Sequence, residues 1–245
     1  MRPARSPTRP QQPLRVAVAS DQTLVAQAVV AALRSHSFEP LLVRWPQLAP
    51  EQAAKGPRRG GRRGSSRQPP DVGLLVSDLA RMPQVRAALL LVTSLPMPWL
   101  VMAGVGRGPA WGALYDAGAT VVVPRETGLA EVCTLLEELP TGSKPAGASR
   151  ERRELIRGWR TFAARRSDLA ARVQSLTDRE EEILRHLHQG LAVQGIAERS
   201  MVTESTVRSQ VKAILRKLDV NSQMAAVAAY EDLLADSTAG DGGRR

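Results

Sequence analysis

Cations and short hydroxyl side chains recur at helical spacing between residues 203 and 217. The apolar residues among them repeat at three- and four-residue steps, which predicts the buried face of a helix: Val207, Val211, Ile214 and Leu218. The opposite face then carries Ser205, Arg208, Ser209, Lys212 and Arg216. Cations can bind phosphates and guanine edges, and short hydroxyl side chains allow a close approach. This face therefore suits the major groove of DNA.

The neighbouring residues predict the helices that must position this face. Thr177 and Glu180 have capping-box spacing, which indicates a helix start. The apolar stripe of that helix is Ile183, Leu184 and Leu187, and Gly190 is a natural stop. A second, short helix would carry Ile196 and Ala197, and Thr203 can cap the third.

The segment from Leu176 to Tyr230 resembles the helix-turn-helix domain of the LuxR/NarL family of bacterial transcription regulators. The runs LTDREEEIL, IAERSMVTESTV and KAILRKLDV and the closing alanine-rich helix carry the resemblance. In that family the third helix enters the major groove. The resemblance implies that Arg208, Ser209 and Lys212 face the bases. It places a second group near phosphates: Thr206, Arg216 and Lys217.

Two departures from the family pattern affect this domain. Arg208 and Gln210 stand where the family usually has Lys and His, and Arg keeps the charge while adding a bidentate fork. Gly195 replaces the usual Glu before the Ile-Ala pair, at a cost of about 1 kcal/mol relative to Ala. The alternative interpretation is a basic amphipathic helix on the surface of an ordinary bundle.

The length of 245 residues predicts two domains, and the net charge of +10 favours a polyanionic partner. The single cysteine, Cys133, excludes an intramolecular disulfide. No stretch is apolar and long enough to cross a bilayer, and the basic N-terminus lacks the apolar segment of a signal peptide. We therefore expect a cytoplasmic protein without a membrane partner. No cofactor, metal site or enzymatic nucleophile is predicted.

Short apolar strands alternate with helices between residues 14 and 140: LRVAVAS, LLVRW, VGLLVSDL, WLVMAG and VVVP. This order predicts an α/β domain with a doubly wound parallel five-stranded sheet. The runs RVAVASDQTLV, DVGLLVSDLARMP and AGATVVVPRE resemble the receiver domain of bacterial response regulators. The expected fold class is therefore α/β plus all-α, with a long linker helix before a four-helix domain over residues 176–235.

The receiver resemblance is poor at its phosphorylation pocket. A working receiver needs an acid pair, a phosphate-accepting aspartate, a hydroxyl and a Lys. The corresponding positions here are Ser20 with Asp21, Val76, Ala103 and Arg125. Asp78 stands two places after the acceptor position. This pattern predicts a degenerate receiver that aspartyl phosphorylation does not control. The alternative is a conventional phosphorylated switch with Asp78 as acceptor and Asp21 as partial metal support.

Three stretches are predicted to be disordered: a basic tail over residues 1–13, an Arg/Gly-rich insertion over 49–70 and a tail over 236–245. The insertion is either an accessory phosphate contact or a solvated loop without a specific role. Its cations are Arg58, Arg59, Arg62 and Arg63.

A flexible joint and a linker helix occupy residues 141–175. The apolar residues of the helix follow heptad spacing and predict a seam between two chains: Leu155, Trp159, Phe162, Leu169 and Val173. The alternative is that this stripe packs on the chain's own domains. Ala225 and Ala226 in the last helix are a further candidate dimer face.

Together these patterns predict a homodimeric transcription regulator that binds double-stranded DNA, with RNA polymerase or a sigma factor as a potential partner. An interaction protein acting mainly through such a partner is the other alternative.

Overall fold

The computed structural model describes residues 13–45, 69–141 and 148–237. The Arg/Gly-rich cations Arg58, Arg59, Arg62 and Arg63, the predicted C-terminal tail beyond residue 237 and nearly all of the N-terminal tail lie outside these residues. The chain divides into two compact units, Met1–Trp159 and Arg160–Arg245.

Within the described part of the first unit, five strands form one parallel sheet. They are β1 (Arg15–Ser20), β2 (Glu39–Leu42), β3 (Val72–Ser77), β4 (Trp99–Ala103) and β5 (Val121–Pro124). Their order in the sheet is β2-β1-β3-β4-β5, and every neighbouring pair is parallel. This is a doubly wound order, in which the strand order reverses beside β1. The predicted fold class is confirmed.

Helices cover both faces of this sheet because its strands are apolar on both sides. They are α1 (Thr23–Arg34), α2 (Met82–Ser94), α3 (Pro109–Asp116) and α4 (Leu129–Glu138), close to the runs predicted from the sequence. Leu75 and Val101 point into a cluster with α2 and α3, whereas Leu74 and Leu100 point into a cluster with α1 and α4. Gly73 lies opposite Trp99, and a Cβ at Gly73 would come within 2.3 Å of the indole ring.

The linker forms one helix, α5 (Ala148–Gln174), as predicted. In its N-terminal part, Leu155 and Trp159 pack on the cluster beside α3. Gly112 of α3 permits this contact, since a Cβ there would lie 2.1 Å from the carbonyl oxygen of Leu155. Arg152 also donates a 3.2 Å hydrogen bond to the Tyr115 carbonyl. Leu155 and Trp159 therefore pack in part on their own unit, which favours the alternative that this stripe packs on the chain's own domains.

The second unit contains the end of α5 and the helices α6 (Asp178–His188), α7 (Val193–Arg199), α8 (Glu204–Leu218) and α9 (Gln223–Ser237). Their core contains the apolar residues predicted to face inward. Val173 packs against this core from α5. Ala226 is 1% exposed within it, so its assignment to a dimer face is wrong because the side chain is already buried. No helix in the described residues is both long and apolar enough to span a membrane.

Candidate nucleic-acid interface

The start and the end of α6 are both determined by local hydrogen bonds. Thr177 Oγ1 accepts a hydrogen bond from the Glu180 N–H at 3.3 Å, and the Thr177 N–H donates to Glu180 Oε2 at 2.8 Å. This is the predicted capping box. Gly190 ends the helix with a φ of 83°, and the Leu191 N–H closes the turn on the His186 carbonyl at 3.1 Å. Both predicted helix signals are confirmed.

The turn between α7 and α8 has Schellman geometry. The Met201 N–H donates to the Glu198 carbonyl at 3.2 Å, and the Val202 N–H donates to the Ala197 carbonyl at 3.0 Å. Met201 occupies the left-handed position with a φ of 51°, where glycine is usual. Thr203 then caps α8 by accepting a 3.2 Å hydrogen bond from the Thr206 N–H. These contacts determine the angle between the two helices.

The outward face of α8 matches the sequence prediction. Val207, Ile214 and Leu218 are buried against the other helices. The exposed side chains on this helix include Ser205, Thr206, Arg208, Ser209, Lys212 and Arg216. This arrangement presents cations and hydroxyls together, as a surface for phosphates and base edges requires.

Two of these cations are unpaired in the part of the chain that the structure describes. The side chains of Lys212 and Arg216 make no hydrogen bond or ion pair there. Arg208 forms a 3.0 Å ion pair with Glu204, one turn earlier. An exposed pair at this spacing contributes only about 0.2–0.5 kcal/mol. Arg208 can therefore leave Glu204 for a stronger anion at little cost.

Lys217 lies differently from the other cations of α8. Its ammonium is 2.6 Å from Glu180 Oε2 and 3.3 Å from the Ser175 carbonyl oxygen. Burial acts to raise the pKa of Glu180, but hydrogen bonds from Lys217 and Thr177 outweigh it and leave this pKa lowered. The position that the resemblance assigned to a phosphate contact is thus occupied by an internal ion pair.

The departures from the family pattern are tolerated in this domain. Gly195 lies within α7, which forms despite it, and a Cβ at that position would meet open space. Gln210 is half-buried and does not belong to the exposed face of α8.

A second polar site lies at the carboxyl edge of the sheet. Asp21 Oδ2 accepts hydrogen bonds from Ser77 Oγ at 3.0 Å and from Gln84 Nε2 at 2.9 Å. Ser20 Oγ accepts a 3.2 Å hydrogen bond from the Gln22 N–H. Sequence reasoning placed Ser20 and Asp21 here but missed Ser77, the last residue of β3, and Gln84 of α2.

Asp78 is engaged at both of its carboxylate oxygens. Oδ1 forms an ion pair with Arg125, and Oδ2 accepts a 3.4 Å hydrogen bond from Gln22 Nε2. Gly104 makes room for the carboxylate, since a Cβ there would lie 2.6 Å from Asp78 Oδ1. The edge therefore brings together Asp21, Asp78 and Arg125 as the strand ends predict.

The position counted as the phosphate acceptor is not in this site. Val76 is 4% exposed and packs in the apolar cluster beneath α1 and α4. Ala103 lies at the end of β4, opposite Ser77, and offers no hydroxyl. Among the described residues, no three or more His, Cys, Asp or Glu side chains cluster as metal ligands.

A protein-family model, the luxR family of bacterial regulatory proteins, matches residues 174–229. The nitrate/nitrite response regulator protein NarP of Escherichia coli K12 is 34% identical over 115 residues, which is 46% of this chain and 50% of NarP. NarL of the same strain is 41% identical over 66 residues, covering 27% of this chain and 31% of NarL. The chain thus spans half or less of these relatives' lengths.

Two solved structures show a weaker similarity to the chain. FixJ from B. japonicum covers 91% of this chain and 97% of its own, at 23% identity and a TM-score of 0.38. RcsB from Salmonella enterica serovar Typhimurium, bound to a promoter, covers 90% and 98%, at 19% identity and a TM-score of 0.40. Residues 174–229 form a C-terminal domain that matches the luxR family of bacterial regulatory proteins.

Proposed function

We propose that the chain is a transcription regulator that binds DNA by sequence through α8. The observation that carries this proposal is the exposed face of α8, where Lys212 and Arg216 lack partners among the described residues and Arg208 has only a weak one. Arg208, Ser209 and Lys212 would contact base edges, because each can donate hydrogen bonds in the major groove. A second set would contact phosphates: Ser205, Thr206 and Arg216.

The protein is further proposed to act as a homodimer on two half-sites. One helix of this size reads few base pairs, and two-fold symmetry doubles the contact. Of the predicted contacts between chains, Ala226 is buried in the core of its own unit, and Leu155, Trp159 and Val173 pack in part on their own units. Phe162 is 37% exposed, and Leu169 and Ala225 are half-buried. These three remain the candidate surface.

Control by aspartyl phosphorylation is not part of this proposal. Asp78 already forms an ion pair with Arg125 and accepts a hydrogen bond from Gln22. The hydroxyl that would sense the phosphoryl group is replaced by Ala103. The domain is better suited to a fixed structural or interaction role.

The test is a selection of genomic DNA fragments bound by the purified full-length protein at physiological salt, without a phosphodonor. A shared motif with two spaced half-sites is the expected result. Diffuse binding that does not depend on sequence would contradict the proposal. That outcome would favour a protein that acts mainly through a partner such as a sigma factor.

A further inference from the structure

Lys217 faces the interior of its own domain rather than the outward face of α8. An α-helix turns about 100° per residue, so the nine residues from Arg208 to Lys217 place the two side chains about half a turn apart. The Lys217 side chain is 33% exposed, against 64% for Arg208. A major-groove approach by the Arg208 face would therefore point Lys217 away from the bases.

Glu180 holds the Lys217 ammonium at the start of α6. Its Oε2 atom accepts hydrogen bonds from Lys217 Nζ at 2.6 Å, from the Thr177 N–H at 2.8 Å and from Thr177 Oγ1 at 3.0 Å. The Glu180 side chain is only 11% exposed. If Lys217 moved to a DNA phosphate, a nearly buried carboxylate would lose its cation, which is strongly unfavourable.

A second set of contacts holds the C-terminal end of α8. Arg172 of α5 forms a 3.0 Å ion pair with Asp219 and donates a 3.4 Å hydrogen bond to the Leu218 carbonyl. The residues proposed to read bases lie about two to three turns nearer the N-terminus of α8. A change of tilt at the tied end would therefore displace them from the base edges.

We propose that Lys217, through Glu180, is a positioning residue that sets the angle at which α8 presents its base-reading face, and that it does not bind a DNA phosphate. This inference rests on the proposed function, since it concerns the same helix. A lysine near the end of a recognition helix could either hold the helix in place or bind a phosphate, and the inference assigns the first role to Lys217.

The test compares Lys217→Met and Glu180→Gln in the full-length protein. Each is measured for affinity to a selected specific fragment and to unrelated DNA, as a function of salt and well below the unfolding temperature. Both variants should lower the ratio of specific to non-specific affinity about tenfold, which is the effect of one mismatched base pair in a binding site. Neither should change the salt slope. Lys217→Arg, which keeps the charge and the hydrogen bond, should retain most of the ratio.

Arg216→Ala is the matched control, because it removes an outward cation from the neighbouring position. It should lower the salt slope by about 0.9 and leave the affinity ratio unchanged. The same behaviour in Lys217→Met would overturn the proposal, because it would identify a phosphate contact. Tighter DNA binding by Glu180→Gln would also overturn it, because that result means that Glu180 restrains Lys217 from the DNA. A loss of stability with an unchanged ratio would reduce the pair to a purely structural role.

A failure of the proposed function can be distinguished from a failure of this inference by the behaviour of the unmodified protein. If the unmodified protein prefers no DNA sequence, the proposed function fails, and no positioning role in base reading survives. A double-mutant cycle of unfolding with Glu180→Gln and Lys217→Met would still measure the coupling between the two side chains.

Discussion

Arg125 and Asp78 form an ion pair across the carboxyl edge of the sheet, joining the ends of β5 and β3. Both side chains are partly exposed, so the pair contributes modestly to stability. Its importance is chemical, because it gives the aspartate nearest to the acceptor position a cationic partner. Receiver-type regulation requires that aspartate to be free for a metal ion and a phosphoryl group.

The first prediction concerns this pair. Incubation of the full-length protein with a small phosphodonor and Mg²⁺ should leave Asp78 unmodified, because Arg125 and Gln22 occupy its oxygens. The measurement is intact-protein mass, with DNA affinity before and after treatment. Asp78→Asn is the control. A mass increase of one phosphoryl group that disappears in this variant would restore the phosphorylated-switch alternative.

The second prediction concerns base reading. Lys212→Ala should reduce specific affinity by about 1–3 kcal/mol and relax the sequence preference, because it removes a donor from the outward face of α8. Competition binding against fragments with single base changes measures both effects. Arg216→Ala should weaken all sequences alike. If the Lys212 variant bound the specific fragment as well as the unmodified protein does, the assignment to a base edge would be wrong.

The third prediction concerns the turn before α8. Met201 is 93% exposed and holds a left-handed backbone conformation, which costs an L-residue roughly 1–2 kcal/mol. Met201→Gly removes this strain without losing packing. It should stabilise the domain by about 0.5–1 kcal/mol after the entropic cost of glycine is included. Gly190→Ala, at the equivalent position after α6, should destabilise it. Chemical denaturation measures the free energy of unfolding of both variants. If both substitutions changed it in the same direction, this account would be contradicted.

The fourth prediction concerns pH. The pKa of Glu180 is lowered in the folded state, from an ordinary value of 4.5, by its bonds to Lys217 and Thr177 against the opposing effect of burial. A lowered carboxyl pKa gives stability that is present above the unfolded pKa and is lost as pH falls through the folded pKa. Unfolding of the C-terminal domain should therefore become easier in acid below about pH 4.5. Glu180→Gln should flatten the dependence of the free energy of unfolding on pH. If that variant kept the same pH profile, the acid sensitivity would belong to other groups.

Features that depend on neighbours within one helical turn could be predicted from the sequence. The capping pair Thr177 and Glu180, the stop at Gly190 and the inward stripe of α8 follow from spacings of three and four residues. The alternation of apolar strands and helices likewise determined the parallel sheet. These features are local, because their hydrogen bonds and helix faces repeat with the backbone period.

The partners of the charged residues were decided by tertiary structure. Lys217 meets Glu180 across 37 residues, and Arg125 meets Asp78 across 47. Both lysine and arginine have long, flexible side chains, so a position on a helix or strand end does not determine what they reach. Ala226 was indistinguishable from an exposed alanine until the helices packed around it. The sequence by itself therefore determined the elements and the outward face of α8, whereas packing decided which cations remain available to DNA.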